Sequence, residues 1–368
     1  MATITQSQKV RLRSLDVLRG FDMFFIMGGD VLLLSLCWLF PGSWGDYVAA
    51  QLGHPAWHGF TAYDLIFPLF LFLSGISFPF SFSKQMDNGR SLLDIRLRIV
   101  KRGFILVLLG MVYNGILYFD DAHFRVASVL GRIGLAWMFA ALLATWLGHR
   151  LRWGLVIFIL LGYWALLVWV DAPDSDAGSF TMEGNIVSYI DRLLLPGILH
   201  NGIHDPEGLL ATLPAVCTAM IGIEAGELVR KNGGVAACWW MGGIGVGLIV
   251  IALAWDIVFP INKNLWTSSF VCITGGLSLL MFSLFHYVID LRNWNWGTYF
   301  FRVIGLNSIT IYLAQHFFDF RYTTDTILGG IAALLPGGWS NVLLSFGYVM
   351  LCWLFLWFLH QKSVYLKV

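Results

Sequence analysis

The sequence predicts an all-α, polytopic membrane protein with about ten transmembrane helices and both termini cytoplasmic. Three observations carry this. Hydrophobic residues fill 58% of the 368 positions and charged residues only 12%, with a mean hydropathy of +0.73, far from the composition of soluble domains. The apolar residues gather in runs close to the roughly 20 residues that cross a bilayer. The connections between runs alternate, one basic and the next acidic, as the positive-inside rule requires.

Taken in order, the runs predict helices over residues 17–40, 60–80, 103–119, 128–148, 153–171, 209–228, 235–258, 266–289, 297–316 and 340–360. A shorter run over 327–335, bounded by Gly and Pro, reads as re-entrant or interfacial. Lys9, Arg11 and Arg13 precede the first span, and Lys84, Arg90, Arg96, Arg98, Lys101 and Arg102 fill the connection after the second. Arg150, Arg152, Arg230, Lys231, Arg292, Lys362 and Lys367 occupy the later connections on that side. Asp120, Asp121, Asp171, Asp174, Asp176, Glu183, Asp205 and Glu207 lie on the other. The chain therefore reads as one membrane domain over 1–368, with 1–13 a cytoplasmic segment and 172–208 a long outer loop whose NIVSYIDRLLL stretch suits an amphipathic helix.

Several classes are set aside. No internal repeat supports an inverted-repeat transporter. No basic tract with interleaved aromatics suggests nucleic acid, and the net charge of +1 says little about partners. The five cysteines (Cys37, Cys217, Cys238, Cys272 and Cys352) sit in or beside apolar runs without metal-like spacing. No metal is expected. The first run holds several charges and no small-residue cleavage site, so a cleaved signal peptide is not expected.

The charges inside the spans carry the functional signal. Asp16, Arg19, Asp22 and Asp30 lie within the first apolar segment, and Asp64 begins the second. Such a group costs roughly 2.5–3.5 kcal/mol at a helix centre and faces a protein interior or wet cavity. Ser14 can cap the first helix, and Asp16, Arg19 and Asp22, at i, i+3 and i+6, can form a ladder on one face. Asp30 lies about 21 Å above Asp16, after Gly28-Gly29, near the outer boundary. The next polar stretch delivers His54-Pro55-Ala56-Trp57-His58-Gly59. A carboxylate beside an imidazole fixes its tautomer and raises its basicity, so His54 with Asp30 or Asp64 forms a candidate general base, walled by Trp57. Arg125 and Arg132 flank the fourth span, and His316 ends the ninth. On the outer side Asp191-Arg192, His200, His204, Asp205-Pro206-Glu207-Gly208 and Asn262-Lys263-Asn264-Leu265-Trp266 supply many hydrogen-bonding groups and a stacking ring, a mixture suited to a sugar, with Trp57, His58 and His316 as further candidate contacts.

Five blocks in order, RLRSLDVLRG, HPAWHGFTAYDLIFPLFLFLSG, YIDRLLL with DPEGLLAT, PINKNLW and GLNSITIYLAQH, resemble the heparan-α-glucosaminide N-acetyltransferase family of transmembrane acyltransferases. The resemblance covers nearly the whole chain from Arg11 and implies its bacterial branch, in the inner membrane, without the amino-terminal extension of the lysosomal member. It implies acetyl-CoA bound from the cytoplasm and acetyl passed to a glucosamine amine on the far side. The family's reactive histidine matches His54. Its usual asparagine partner falls at Asp30, a departure, and His58 stands where the lysosomal member has Asn. On this resemblance Arg98 and Arg102, with Arg19 and Arg132, are the candidate CoA contacts. His54 serves as base or acetyl carrier, oriented by Asp30 or Asp64. Membrane lipid and a second copy in a homodimer are the expected partners besides the sugar. The same charges fit one alternative, a proton-coupled amino-sugar permease.

Overall fold

Helix starts and breaks explain how the chain reaches its arrangement. The computed structural model describes residues 12–118 and 124–366; Lys9, Arg11, Asp120, Asp121 and Lys367 lie outside them. Fifteen α-helices run in order: α1 (Arg13–Phe24), α2 (Asp30–Leu39), α3 (Ser43–Gln51), α4 (Ile66–Asp87), α5 (Leu92–Tyr113), α6 (Val129–Trp146), α7 (His149–Trp169), α8 (Ile186–Leu194), α9 (Thr212–Asn232), α10 (Gly234–Asp256), α11 (Ser268–Phe285), α12 (Thr298–Leu306), α13 (Ser308–Phe317), α14 (Phe320–Ala332) and α15 (Trp339–Gln361). The described residues form no strand, only two isolated bridges.

Among the described residues, eight spans are long and apolar enough to cross a membrane, eight of the ten expected. The other two runs are helical in a different form. The 103–119 run belongs to α5, which starts earlier because Ser91 Oγ accepts from Asp94 N at 3.1 Å and caps it. Its first three turns therefore carry Asp94, Arg96, Arg98, Lys101 and Arg102. The 297–316 run breaks at Asn307 into α12 and α13. The 327–335 run opens as the second half of α14, packed on α15. The NIVSYIDRLLL stretch forms the helix α8, which buries Ile186, Val187, Ser188 and Asp191 and exposes Leu193 and Leu194.

The first span is one bent rod of α1, a π-helical turn (Phe25–Gly29) and α2. Its start differs from expectation. Ser14 does not cap α1; Asp290, from a π turn (His286–Leu291) after α11, accepts from Arg13 N at 3.0 Å and Ser14 N at 3.2 Å. Ser14 Oγ donates to the same carboxylate at 2.5 Å. The bend falls at Gly28, whose φ of 108° only glycine adopts readily. A Cβ there would also meet the Tyr348 ring at 2.9 Å.

In lipid, helices associate through close packing of small residues rather than through the hydrophobic effect. The α4–α9 crossing shows it: a Cβ on Gly222 would lie 2.1 Å from Phe72 O. Helix α9 is buried along most of its length, whereas α10 and α15 turn most of their apolar surface outward. Trp38, Trp44 and Tyr47 stand exposed on α2 and α3, as interfacial aromatics do. Cys217, Cys238, Cys272 and Cys352 are buried and Cys37 half-buried, all as free thiols.

Candidate active site

The start of α4 builds the site. A 3₁₀ turn (Ala62–Leu65) leads into it, and its first residues form a capping box in which Thr61 N donates to Asp64 Oδ2 at 3.1 Å. Thr61 Oγ1 also donates to Gly53 O at 2.6 Å and so closes the loop that carries His54. Asp64 is fully buried, and its other oxygen lies 2.6 Å from His54 Nδ1. With Nδ1–H donating to that carboxylate, Nε2 keeps its lone pair. The imidazole is about half exposed, at 48%. Asp64 is therefore the group that orients the ring.

Asp30 stands one residue further out. Its Oδ2 accepts from Tyr63 OH at 3.0 Å, and the Tyr63 ring lies 5.1 Å from that of His54. Asp30 also lines a cleft of about 510 Å³ among α2, α14 and α15, with Trp38, Gln315, Arg321 and Asn341 on its walls.

A second loop, between α10 and α11, completes the cluster. Lys263 Nζ lies 3.2 Å from His54 Nε2 and 3.3 Å from Asp64 Oδ1. Burial lowers the pKa of this amine, against the pull of Asp64 and Glu207. The loop is held by Asn262, which accepts from Leu265 N at 2.9 Å and donates through Nδ2 to His58 Nδ1 at 3.2 Å. Gly59 N donates to Ile261 O at 2.8 Å and stitches the two loops together. Trp266, at a φ of +51°, is strained there. It is held by burial, by its Nε1 bond to Thr218 Oγ1 at 3.3 Å and by the Tyr163 OH bond to Leu265 O at 2.6 Å.

The long connection between α7 and α9 forms the third wall. Trp57 Nε1 donates to Phe180 O at 2.7 Å, and its ring meets His204 edge-on at 5.3 Å. Arg125 grips Asp205 through two bonds of 2.7 and 2.5 Å and also bonds Glu207. That guanidinium holds the Asp205 carboxyl below its ordinary range, against burial, which would raise it. Burial pushes His204 down to about 4 and Asp191 up to about 7.

The sequence-predicted residues separate accordingly. His54, Asp64 and Lys263 meet directly; Asp30, His58 and Trp57 stand in the next ring, with half-buried Asn264 beside Lys263. Trp266 is no exposed stacking platform: it lies at 0% exposure in the core against Phe67 and Phe270. His316 packs on Tyr113 at 4.3 Å. Arg132 stands apart from Arg98 and Arg102. It is buried over the Trp266 ring and donates to Gly208 O at 3.3 Å. Arg98 opens to the surface beside Arg90, Asp94 and Lys101, Arg102 lies 4.2 Å over the Trp137 ring, and Arg19 reaches α4 at Leu73 O and Ser77 Oγ. Tyr63 and Thr61 were not singled out from the sequence, although Thr61-Ala62-Tyr63-Asp64 carries the spacing of a capping box. Among the described residues no group of His, Cys, Asp and Glu has the arrangement of a metal site.

Residues 11–118 match a sequence family described as a domain of unknown function, DUF5009. Over 375 aligned residues, 84% of this chain, the sequence is 26% identical to heparan-alpha-glucosaminide N-acetyltransferase of Homo sapiens. The Mus musculus enzyme of the same name is 26% identical over 86% of the chain. The chain is thus similar to these acetyltransferases over most of its own length. It spans about half the length of the curated relatives it matches, 53% and 56% respectively. The family match over residues 11–118 takes in the His54–Asp64 loop.

Proposed function

We propose that this protein is a membrane N-acetyltransferase that moves acetyl from cytoplasmic acetyl-CoA to the amine of a glucosamine-type sugar on the opposite side. The observation that carries the reading is the Asp64–His54–Lys263 cluster, an imidazole held at Nδ1 by a buried carboxylate with the Lys263 amine 3.2 Å from its Nε2. Its setting, in a chain similar to N-acetyltransferases, supports the reaction class. The basic connections, with both termini, face the cytoplasm, and His54 faces the other side.

The thioester is already activated, so the protein positions the reactants, takes a proton and stabilises an oxyanion. Arg98 and Arg102 meet the CoA phosphates at the basic end. At the other end the sugar amine attacks the acetyl carbon, the C–N bond forms, and the C–S bond breaks to leave the thiol. In one route Nε2 of His54 takes the ammonium proton directly. In the other Nε2 carries the acetyl first and the amine then attacks acetyl-imidazole. Asp64 holds the ring in both, and Lys263, 3.2 Å from Nε2, is placed to stabilise the oxyanion that forms there. The cleft beside Asp30, with its Trp, Arg and amide walls, suits a saccharide.

The test is transfer of radiolabelled acetyl from acetyl-CoA to glucosamine by purified protein, beside His54→Ala. Labelled N-acetylglucosamine from the wild type alone supports the reading. Label held on the protein identifies the carrier route. No movement of label, with glucosamine accumulating in CoA-free proteoliposomes, replaces the enzyme with a permease.

A further inference from the structure

A polar seam crosses the contact between α1 and α4. The helices run antiparallel, so residue numbers fall on one as they rise on the other. Arg19 pairs with Leu73 and Ser77 at 3.2 and 3.0 Å, and Asp30 pairs with Tyr63 at 3.0 Å. Asp22 lies between them, about 4.5 Å along the axis from Arg19 and about 12 Å from Asp30. It is 2% exposed, and its Oδ2 has no hydrogen-bond partner among the described residues. The ladder expected from its spacing with Arg19 therefore leaves this oxygen unused.

The carboxyl lines a cavity of about 210 Å³ whose other walls include Phe25, Leu52, Leu69, Met281 and Tyr63. Leaving a buried polar atom unpaired costs about 1–3 kcal/mol, and such an atom calls for a partner that the protein itself does not supply. The walls decide what kind. An ammonium brings three N–H donors, and the side chains lining this pocket offer only the Asp22 carboxyl and the Tyr63 hydroxyl oxygen to accept them. A secondary amide brings one N–H, and the methylenes on either side of it suit Phe, Leu and Met. Leu52 is two residues from His54, and Tyr63 forms both the cavity wall and the neighbour of the His54 ring. The cavity therefore adjoins the transfer site.

We propose that Asp22 is an amide-binding residue for the pantetheine arm of the acyl-CoA, accepting one of its amide N–H groups partway along the α1–α4 seam. This rests on the acetyltransferase reading above. The seam would lead the arm from Arg19 at the basic end to His54, with Asp22 supplying a polar contact within the apolar stretch.

The test is calorimetric binding of coenzyme A and of adenosine 3′,5′-bisphosphate, the nucleotide half without amides, to full-length wild type, Asp22→Asn and Asp22→Leu. Asn keeps an acceptor oxygen in place, whereas Leu matches the apolar walls. Removing an unpaired buried carboxyl leaves the fold intact or more stable, so Asp22→Leu remains measurable. The expected result is a coenzyme A affinity weakened about ten-fold in Asp22→Leu (about 1.4 kcal/mol) and within three-fold of wild type in Asp22→Asn. Bisphosphate binding stays equal in all three. Unchanged coenzyme A binding in Asp22→Leu overturns the assignment, as does an equal loss for the bisphosphate. Failure of the wild type to bind coenzyme A at all would instead overturn the acetyltransferase reading.

Discussion

At the residue scale, Lys263 Nζ stands 3.2 Å from His54 Nε2. Lys263→Met should lower kcat about ten-fold or more through loss of oxyanion stabilisation, with KM for acetyl-CoA little changed. An unchanged kcat would leave Lys263 a structural role alone. His204 tests the third wall. Burial holds its folded pKa near about 4, below the ordinary imidazole value of about 6.5. A depressed pKa gives stability that is full above the unfolded value and is lost as pH falls through the folded one. Between pH 7 and pH 4.5, His204→Asn should therefore lose less thermal stability than wild type in detergent. An Asn can still accept from Ser188, whose Oγ lies 2.8 Å from His204 Nδ1. Asp191, raised to about 7, acts with the opposite sign: its stabilisation is full below about 4 and is lost as pH rises toward 7. It is present in both proteins and cancels from the difference.

At the element scale, what caps and bends the first span sets where Asp30 and Asp22 end up. The amino end of α1 takes its acceptor from Asp290, 276 residues from Ser14. Asp290→Ala should cost about 1–2 kcal/mol, the range of a lost helix cap, and Asp290→Asn markedly less. Denaturant midpoints of the two variants check this. Ser14 in the sequence reads as the cap because Ser before an apolar run usually is one. Nothing local distinguishes it from a serine that donates to a remote carboxylate. At the split of 297–316 the partner is also remote, since Asn307 donates to Val364 O at 3.2 Å, whereas the early start of α5 has a local cause. In α5 the cap at Ser91 was legible, but an apolar-run rule places the boundary where the charges stop. The α3 helix, short and without buried residues, leaves no periodic signal and reads as plain loop.

At the scale of the whole molecule, the two ends differ in chemistry. One carries Arg152, Glu224, Glu227 and Lys231 in a connected cluster, with Arg98 open to the surface beside Lys101. The other carries His54, Asp205 and Glu207. Cysteines introduced at Arg98 and at Ala56 on a background without the native five should react with impermeant maleimide from opposite sides of sealed vesicles. The expected pattern labels Ala56→Cys from outside in right-side-out vesicles and Arg98→Cys only after permeabilisation; the reverse would invert the proposed direction of transfer.

Composition and apolar run length by themselves determined the membrane class and most spans, because insertion in lipid depends on local hydrophobicity over about 20 residues. The five ordered motifs pointed to His54 and to the family resemblance. Local pattern also marked Asp64 as unusual, since an acid within an apolar run stands out wherever it is. Only the tertiary structure decided that Asp64 rather than Asp30 orients His54, that Lys263 meets its Nε2, that Trp266 belongs to the core, and that Arg132 stands apart from Arg98. Each depends on contacts between segments far apart in the chain, from 10 residues for His54–Asp64 to 209 for His54–Lys263. Helix packing sets those distances through close approaches such as Gly222 on Phe72. A single sequence carries no direct record of which faces meet.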